Sequence, residues 1–135
     1  MAETLRLHIV TPDATVLSED VEMVTLPCIE GDIGVYPQHE HLITQIVPGE
    51  IIVTSRGQER SLAVGEGLVE VTADRVEIVT NMAIEAEHID EARVEEARAR
   101  AAARLREKLS DEEIASTNAA LARSLAQLHV KRRRR

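Results

Sequence analysis

His39 and His41, which are separated by one residue, form the pattern in this 135-residue chain that comes nearest to a metal-binding motif. Side chains two residues apart on a β-strand point to the same face, so the two imidazoles would converge as they do in a cupin-like metalloenzyme. Such a site also needs a carboxylate a few residues later, but residues 44–47 read Thr-Gln-Ile-Val. The glycines and proline around the histidines favour a turn between strands. A cupin-like metal-binding β-sandwich enzyme is the alternative function.

Four arginines in the last third of the chain form a second pattern suited to chemistry. Arg93, Arg100 and Arg104 are spaced to project from one face of a helix, and Arg123 adds a cation on a second helix. Guanidinium groups in a row suit carboxylates or phosphates on a partner, although most such rows are simply solvated. Specific nucleic-acid binding is not expected, because the chain is acidic overall and Tyr36 is its only aromatic residue.

Recognisable catalytic motifs are absent from the sequence. It contains no G-x-x-x-x-G-K-[ST] phosphate loop and no serine or cysteine with a recognisable base signature. Cys28 follows Pro27 and is interpreted as a packing residue, and a single cysteine fits a reducing compartment. The N-terminal residues lack the pattern of a signal peptide, and no apolar run approaches the roughly 18 residues that span a bilayer. We therefore expect a soluble, intracellular chain that is not an enzyme.

The elements that position these residues change character near residue 88. Residues 1–87 contain 16 acidic and 4 basic side chains, whereas residues 88–135 contain 8 and 12. In the first part, aliphatic or β-branched runs recur about every ten residues between turn residues. These runs are residues 5–9, 21–26, 42–47, 51–54, 61–64, 68–72 and 76–79. This spacing predicts an all-β sandwich or barrel of about eight to ten short strands.

From Ile89 onwards the pattern predicts two helices. Acidic residues concentrate in the opening turns of the first helix and basic residues in its closing turns, which matches the helix macrodipole. Ser110 and Glu113 form a capping box, so the second helix begins near Asp111 and ends where the charges of residues 131–135 repel one another. The two helices must pack antiparallel. Because they are rich in alanine and bury little apolar area, the hairpin is expected either to change position or to act as a permanent brace.

Several segments, taken in order, resemble one known family. They are Glu30-Gly31-Asp32-Ile33-Gly34-Val35-Tyr36-Pro37-Gln38-His39, Pro48-Gly49, Gly65-x-Gly67-Leu68-Val69-Glu70-Val71 and Ala120-Leu121-Ala122-Arg123-Ser124-Leu125-Ala126-Gln127-Leu128-His129-Val130. Together they are similar to the epsilon subunit of bacterial and chloroplast F-type ATP synthase. The resemblance implies an α+β fold, with an N-terminal ten-stranded β-sandwich (residues 1–87) followed by a C-terminal antiparallel two-helix hairpin (residues 88–135).

The resemblance also implies a non-catalytic role in the central stalk, as a rotor subunit. Such a subunit binds the gamma subunit and the c-subunit ring and couples them for proton-driven ATP synthesis. It inhibits ATP hydrolysis when its hairpin extends towards the alpha and beta subunits of the catalytic head. Its implied location is peripheral, on the cytoplasmic face of a bacterial plasma membrane or the stromal face of a thylakoid, without insertion into the bilayer.

By motif position, the resemblance assigns two groups of contact residues. The implied c-ring contact consists of Glu30, Asp32 and His39. The implied inhibitory contact with the catalytic subunits consists of Arg93, Arg100, Arg104 and Arg123.

Some members of this family bind regulatory ATP through an I/L-D-x-x-R-A motif at the start of the first helix. The corresponding candidates here are Ile89, Asp90 and Arg93, with Arg100 two turns further along the same face of the helix. Val94 replaces the usual alanine, and Ile84 stands where an acidic residue is expected, with Glu85 adjacent. The alternative is that Asp90 only caps the helix and Arg93 is a solvated or shaft-facing cation. The resemblance implies no required cofactor and no metal site.

Overall fold

The computed structural model describes residues 3–134, in which ten strands are followed by two α-helices. The strands are β1 (Leu5–Val10), β2 (Thr15–Val21), β3 (Met23–Cys28), β4 (Gly31–Val35), β5 (Leu42–Ile46), β6 (Gly49–Ser55), β7 (Gln58–Val64), β8 (Gly67–Val71), β9 (Arg75–Thr80) and β10 (Ala83–Glu85). A 3-10 turn (Ala86–His88) leads to α1 (Glu91–Arg104) and α2 (Asp111–Arg134). The predicted α+β fold is confirmed. Met1, Ala2 and Arg135, which the sequence analysis includes in the two parts, lie outside the described residues.

The strands pair in one continuous path that folds over a shared core. Their order is β10-β7-β6-β3-β5-β8-β9-β1-β2, and β4 is added to β3. Neighbours are antiparallel except β1 and β9, which run parallel with Arg6 opposite Arg75. Alternate side chains point inwards, as in β1, where Leu5, Leu7 and Ile9 are buried. The core also contains Val24, Leu26, Ile46, Ile51, Val53, Leu62, Val69, Val71, Val76 and Ile78.

A tight turn and a close backbone contact determine how neighbouring strands meet. Arg56 and Gly57 have positive φ angles of 54° and 74° and form the two-residue turn between β6 and β7, the backbone geometry that favours glycine. At Gly67, a Cβ atom would collide with the carbonyl oxygen of Val79 and with the backbone of Thr80. The strands β8 and β9 therefore approach this closely only because residue 67 lacks a side chain.

The sequence pattern does not predict β2, β4 and β10 individually. In β4, two glycines lie among five residues, and the sequence pattern favours a turn between strands over residues 30–41. The structure instead pairs β4 with β3, with Leu26 opposite Ile33 and Val24 opposite Val35, and the chain is irregular only from Tyr36 onwards. Cross-strand burial of these apolar pairs stabilises a strand that local propensity does not favour.

Side-chain caps begin both helices: the sequence predicts the capping box at Ser110 and offers the cap at Asp90 as an alternative. The Asp90 carboxylate accepts a hydrogen bond of 3.2 Å from the backbone N–H of Arg93 at the start of α1. At the start of α2, the N–H of Glu113 donates to the Ser110 hydroxyl and the N–H of Ser110 donates to the Glu113 carboxylate, both at 3.2 Å. This backbone hydrogen bond and the Ser110 hydroxyl lower the pKa of Glu113.

The helices are antiparallel, because the start of α1 lies beside the end of α2. Arg132 donates to Glu91 at 2.8 Å, and at the other end Arg104 donates to Glu113 at 2.9 Å. The sequence predicts that α2 ends where the charges of residues 131–135 repel one another, and in the structure the helix extends through this run to Arg134, the last described residue. Its last four cations remain helical because they are paired with acceptors on other elements, which offsets the repulsion.

The hairpin lies on the sandwich through α2, which packs against β6 and β7. Val130 of α2 is fully buried with Ala63 of β7 and with Ile89, which precedes α1. In α1 itself, Ala101 is the buried residue, so α1 is held largely through α2. Within residues 3–134, neither helix is long and apolar enough to cross a lipid bilayer.

Candidate functional site

The residues assigned to a c-ring contact lie around β4 and in the loop after it. Glu30 and Asp32 are exposed, and the Glu30 carboxylate accepts a hydrogen bond of 3.1 Å from the Thr44 hydroxyl. His39 is half-buried, with Nδ1 2.7 Å from the carbonyl oxygen of Glu40. Two carboxylates are therefore available to solvent at one end of the sandwich, whereas the imidazole is partly engaged with its own loop.

Glu30 and Asp32 also influence the thiol of Cys28. Burial raises the pKa of Cys28, and the negative charges of Glu30 and Asp32 raise it further. A raised pKa keeps the thiol protonated and unreactive at neutral pH. This environment supports the interpretation of Cys28 as a packing residue.

The strand geometry that a metal site at His39 and His41 would require does not form. Residues 36–41 are irregular, and Gln38 has a positive φ of 70°. The Nε2 atom of His41 lies 2.9 Å from the Glu70 carboxylate on β8, while His39 contacts its own loop. The two imidazoles therefore have different partners, and the cupin-like geometry considered from the sequence is wrong.

A different cluster of potential ligands lies in the 3-10 turn between the sandwich and the hairpin. Donor atoms of Glu85, Glu87 and His88 lie within 4.8 Å of one another. Arg60 donates to Glu85 at 3.4 Å, so one carboxylate already has a cationic partner. This cluster is accounted for by ion pairing.

An exposed apolar surface, here called the apolar band, lies on the outer face of the strands β5, β8 and β9 and on the turn between β3 and β4. It consists of Ile29, Ile43, Leu68 and Val79, which are 57%, 63%, 59% and 60% exposed. Leu68 is directly opposite Val79 on one side and Gln45 on the other, and Ile43 lies two residues from Gln45 on the same face of β5. Sequence reasoning missed this surface, although the consecutive apolar pairs Leu68-Val69 and Ile78-Val79 depart from the alternation of a half-buried strand.

Three of the four arginines assigned to an inhibitory contact are exposed on α1. They are Arg93, Arg100 and Arg104, and Arg104 also pairs with Glu113. Arg123 differs, because it is half-buried on α2 and its aliphatic chain lies against Gly65 of the sandwich. The structure therefore presents three guanidinium groups to solvent and keeps the fourth against the sandwich.

A groove at the start of α1 brings together most of the residues assigned to nucleotide binding. Its volume is about 480 Å³, and its lining residues include Asp90, Arg93 and Arg100 of the α1 region and Ser124 and Gln127 of α2. Ile89 instead is buried with Ala63 and Val130, in a cluster against which the groove residues Ile84 and Val94 pack. Because both helices line this groove, a ligand there would contact the two of them together.

The sequence departs from the ATP motif at residue 84, and the adjacent carboxylate of Glu85 does not replace the missing one. Ile84 lines the groove at the start of α1, whereas Glu85 lines a separate cavity of about 400 Å³ together with Arg60, Ser61 and Lys131. Successive residues of a strand point to opposite faces, so a carboxylate shifted by one position faces away from the groove. The groove thus lacks the carboxylate that the motif would supply.

The end of α2 carries four consecutive cations, here called the basic turn: Lys131, Arg132, Arg133 and Arg134. Arg133 forms a bidentate pair with Glu50 on β6, with distances of 2.8 and 2.7 Å. Burial raises the pKa of Glu50, but hydrogen bonds from Arg133 and Ser61 and the charges of Arg133 and Arg134 lower it by more. The net effect is a pKa below the ordinary value of a glutamate, so this carboxylate is ionised at neutral pH.

The apolar band, the exposed row of arginines and a hairpin packed partly through small residues are typical of a protein that binds other proteins through its surface. Residues 4–86 match the family described as ATP synthase, Delta/Epsilon chain, beta-sandwich domain, and residues 87–132 match ATP synthase, Delta/Epsilon chain, long alpha-helix domain. The chain belongs to the ATP synthase delta/epsilon chain family, a non-catalytic subunit of that complex.

Relatives and solved structures agree over nearly the whole chain. The ATP synthase epsilon chain of Herpetosiphon aurantiacus is 40% identical over 131 residues, covering 97% of this chain and 96% of the relative. The ATP synthase epsilon chain 2 of Syntrophotalea carbinolica is 41% identical over 131 residues, covering 96% and 95%.

Among solved structures, one chain of the Euglena gracilis mitochondrial ATP synthase (OSCP/F1/c-ring, rotational state 1) is 25% identical to this chain. It superposes with a TM-score of 0.78, and the match covers 93% of this chain and 79% of that one. A chain of the Tetrahymena thermophila mitochondrial ATP synthase (central stalk/c-ring) has the same fold, with a TM-score of 0.67, 10% identity and coverage of 94% and 96%.

Proposed function

We propose that this chain is a rotor subunit in the central stalk of an F-type ATP synthase, where it joins the gamma subunit to the c-subunit ring for proton-driven ATP synthesis. The observation that carries the proposal is the apolar band, because exposed apolar side chains clustered on a strand face are typical of a protein interface. The similarity to ATP synthase epsilon chains, and to a chain within an F1/c-ring assembly, supports gamma and the c ring as the partners.

The gamma subunit is the proposed occupant of the apolar band. Leu68 and Val79 form its directly paired apolar contact on β8 and β9, and neighbouring strand positions are polar, including Glu70 and Glu77. An apolar centre with a polar rim is the usual anatomy of a protein interface. Binding gamma in this way leaves the hairpin, on the sheet formed by β6 and β7, outside the contact.

The c ring is the proposed partner of Glu30, Asp32 and His39. The two carboxylates are exposed and carry the charge that suits basic residues in the polar loops of the ring. Contacts of this kind contribute orientation and association rate more than affinity. Through the ring, the chain would be held peripherally at the cytoplasmic face of a bacterial plasma membrane or the stromal face of a thylakoid, without entering the bilayer.

The hairpin is the proposed inhibitor of ATP hydrolysis, by extending towards the alpha and beta subunits. Arg93, Arg100 and Arg104 are already exposed and suit an acidic segment of a catalytic subunit, whereas Arg123 would be freed only when α2 leaves the sandwich. The buried contacts of the hairpin come largely from small residues, so docked and extended states separated by a few kcal/mol are physically reasonable.

Regulatory ATP is proposed to bind the groove at the start of α1 and to steady the docked hairpin. Asp90, Arg93 and Arg100 would contact the ligand, and Ile89 would support the groove from below. Because Ser124 and Gln127 come from α2, bound ATP would link both helices. The proposal requires no cofactor for the structural role of the chain.

Deletion of residues 88–135 tests the inhibitory part of this proposal. The truncated chain should still assemble with gamma and the c ring, and the ATPase rate of the assembled complex should rise. An unchanged ATPase rate in an intact complex would refute inhibition by the hairpin. If the full-length chain does not copurify with gamma and the catalytic subunits, the rotor role itself is wrong.

A further inference from the structure

The basic turn of α2 places four adjacent cations in helical conformation. Unpaired like charges on neighbouring helix positions repel one another and unwind a helix end. Here each has an acceptor on another element: Lys131 donates to the carbonyl oxygen of Ala86 (3.2 Å), and Arg132 donates to Glu91 (2.8 Å). The helix end is therefore stable in the docked position because of these partners.

Two of the four cations bind the sandwich itself. Arg133 donates hydrogen bonds from two nitrogen atoms to the carboxylate of Glu50. Arg134 donates to the Ser61 hydroxyl at 2.6 Å and to the Glu59 carboxylate at 3.4 Å. The Glu50 side chain is only 11% exposed, and Ser61 is buried. Bidentate charge-assisted hydrogen bonds to a largely buried carboxylate are among the stronger polar contacts in proteins.

The apolar part of the same contact is limited. Val130 packs against Ala63 and Ile89, and the other buried residues of α2 are Thr117, Ser124, Ala126 and Leu128. Leu128 is the one large apolar side chain among these four, and small or hydroxyl side chains bury little apolar area. The ion pairs at the end of α2 therefore add substantially to the attachment.

We propose that the basic turn is an electrostatic latch: Lys131 to Arg134 hold the hairpin in place by pairing with the carbonyl oxygen of Ala86 and with Glu91, Glu50, Ser61 and Glu59, and breaking these pairs releases it. The latch closes two contacts at once, because Arg132 ties α2 to α1 while Arg133 and Arg134 tie α2 to β6 and β7. Ionic strength sets its strength, since the Debye length shortens from about 10 Å at 0.1 M to about 3 Å at 1 M. The latch is a property of the isolated chain and does not depend on the role in a rotor.

Hydrogen exchange of α2 amides in the full-length chain tests the latch, because exchange reports even a rare opening of one part of a folded protein. The test variants are Arg133→Gln and Glu50→Gln. Each should speed the exchange of α2 amides about tenfold, which corresponds to about 1.4 kcal/mol of lost attachment. The double variant should exchange no faster than either single variant, because the two residues form one interaction.

Matched controls separate the latch from a general effect of charge or stability. Arg106→Gln removes the same charge from an exposed position between the helices and should leave α2 exchange unchanged. The amides of β8 and β9 serve as an internal reference for the folded sandwich. Raising NaCl to about 1 M should speed α2 exchange in the unmodified chain and have a smaller effect in Arg133→Gln.

Three results would overturn the proposal. The first is α2 exchange within twofold of the unmodified chain in both single variants. The second is an equal acceleration in Arg106→Gln. The third is an acceleration shared equally by β8 and β9, which would mean that the substitutions destabilise the whole fold and not the attachment of the hairpin.

Discussion

Replacing Leu68 and Val79 by alanine should weaken the binding of the gamma subunit while leaving the sandwich folded. Both side chains belong to the apolar band and are directly opposite each other on β8 and β9. Because they are mostly exposed in the isolated chain, their removal creates no cavity in the core. The loss should therefore appear in association and not in the free energy of unfolding.

The expected magnitude follows from the exposed fractions. Leu68 is 59% exposed and Val79 is 60% exposed, so more than half of each side chain is still available for burial. Complete burial of such a side chain contributes about 1.5–3 kcal/mol, so burial of the remaining part contributes about 1 kcal/mol for each residue. The double substitution thus loses about 2 kcal/mol, which corresponds to a Kd about thirtyfold higher.

Titration of the chain into the gamma subunit, without the alpha and beta subunits that the extended hairpin is proposed to contact, measures this change. Leu125→Ala is a matched control, because Leu125 is 49% exposed but lies on α2, away from the apolar band. The reasoning is refuted if the double variant binds within threefold of the unmodified chain, or if Leu125→Ala weakens binding as much. Circular dichroism should show the same fold for all three chains.

Three further predictions concern the backbone, the latch and the groove. Gly67→Ala should lower the free energy of unfolding, measured in urea, by about 2 kcal/mol or more, because the new Cβ collides with backbone atoms of β9. Gly65→Ala should lower it by less, because the new Cβ collides with the side chain of Asn81, which can move. Equal losses in the two variants would contradict this prediction. The lowered pKa of Glu50 means that its contribution to docking is complete above about pH 4.3, the value for an unfolded chain, and is lost as the pH falls through the lower folded value. Exchange of α2 amides, relative to those of β8 and β9, should therefore rise at acidic pH, and an unchanged ratio would count against the latch. Calorimetric titration with millimolar ATP should release heat that Arg93→Gln abolishes, and no heat from the unmodified chain would end the nucleotide proposal.

The class of fold could be predicted from the sequence because it depends on local signals. The alternation in β1 and the capping box of Ser110 and Glu113 are each complete within a few residues, and the structure contains both. β4 could not be recognised in the same way, because its glycines suppress its strand propensity and its stability comes from pairing with β3. The end of α2 was also beyond local reasoning, since the partners of its arginines are distant in the chain.

The candidate sites were predictable to different degrees for the same reason. The exposure of Arg93, Arg100 and Arg104 follows from helical spacing on one element, and the structure agrees. The apolar band requires knowing that β5, β8 and β9 are neighbours, which only the sheet order reveals. Likewise, Glu50 carries no distinguishing feature in the sequence until the fold brings Arg133 against it.

The parallel pairing of β1 with β9 dictates the order in which a newly translated chain can close its sandwich. One neighbour of β1 is synthesised immediately after it, but the other emerges from the ribosome only after the intervening strands. Contacts so distant in sequence form slowly. The β6–β7 ribbon is made before β9, so the hairpin, which follows all ten strands in the chain, is synthesised after the strands on which α2 packs.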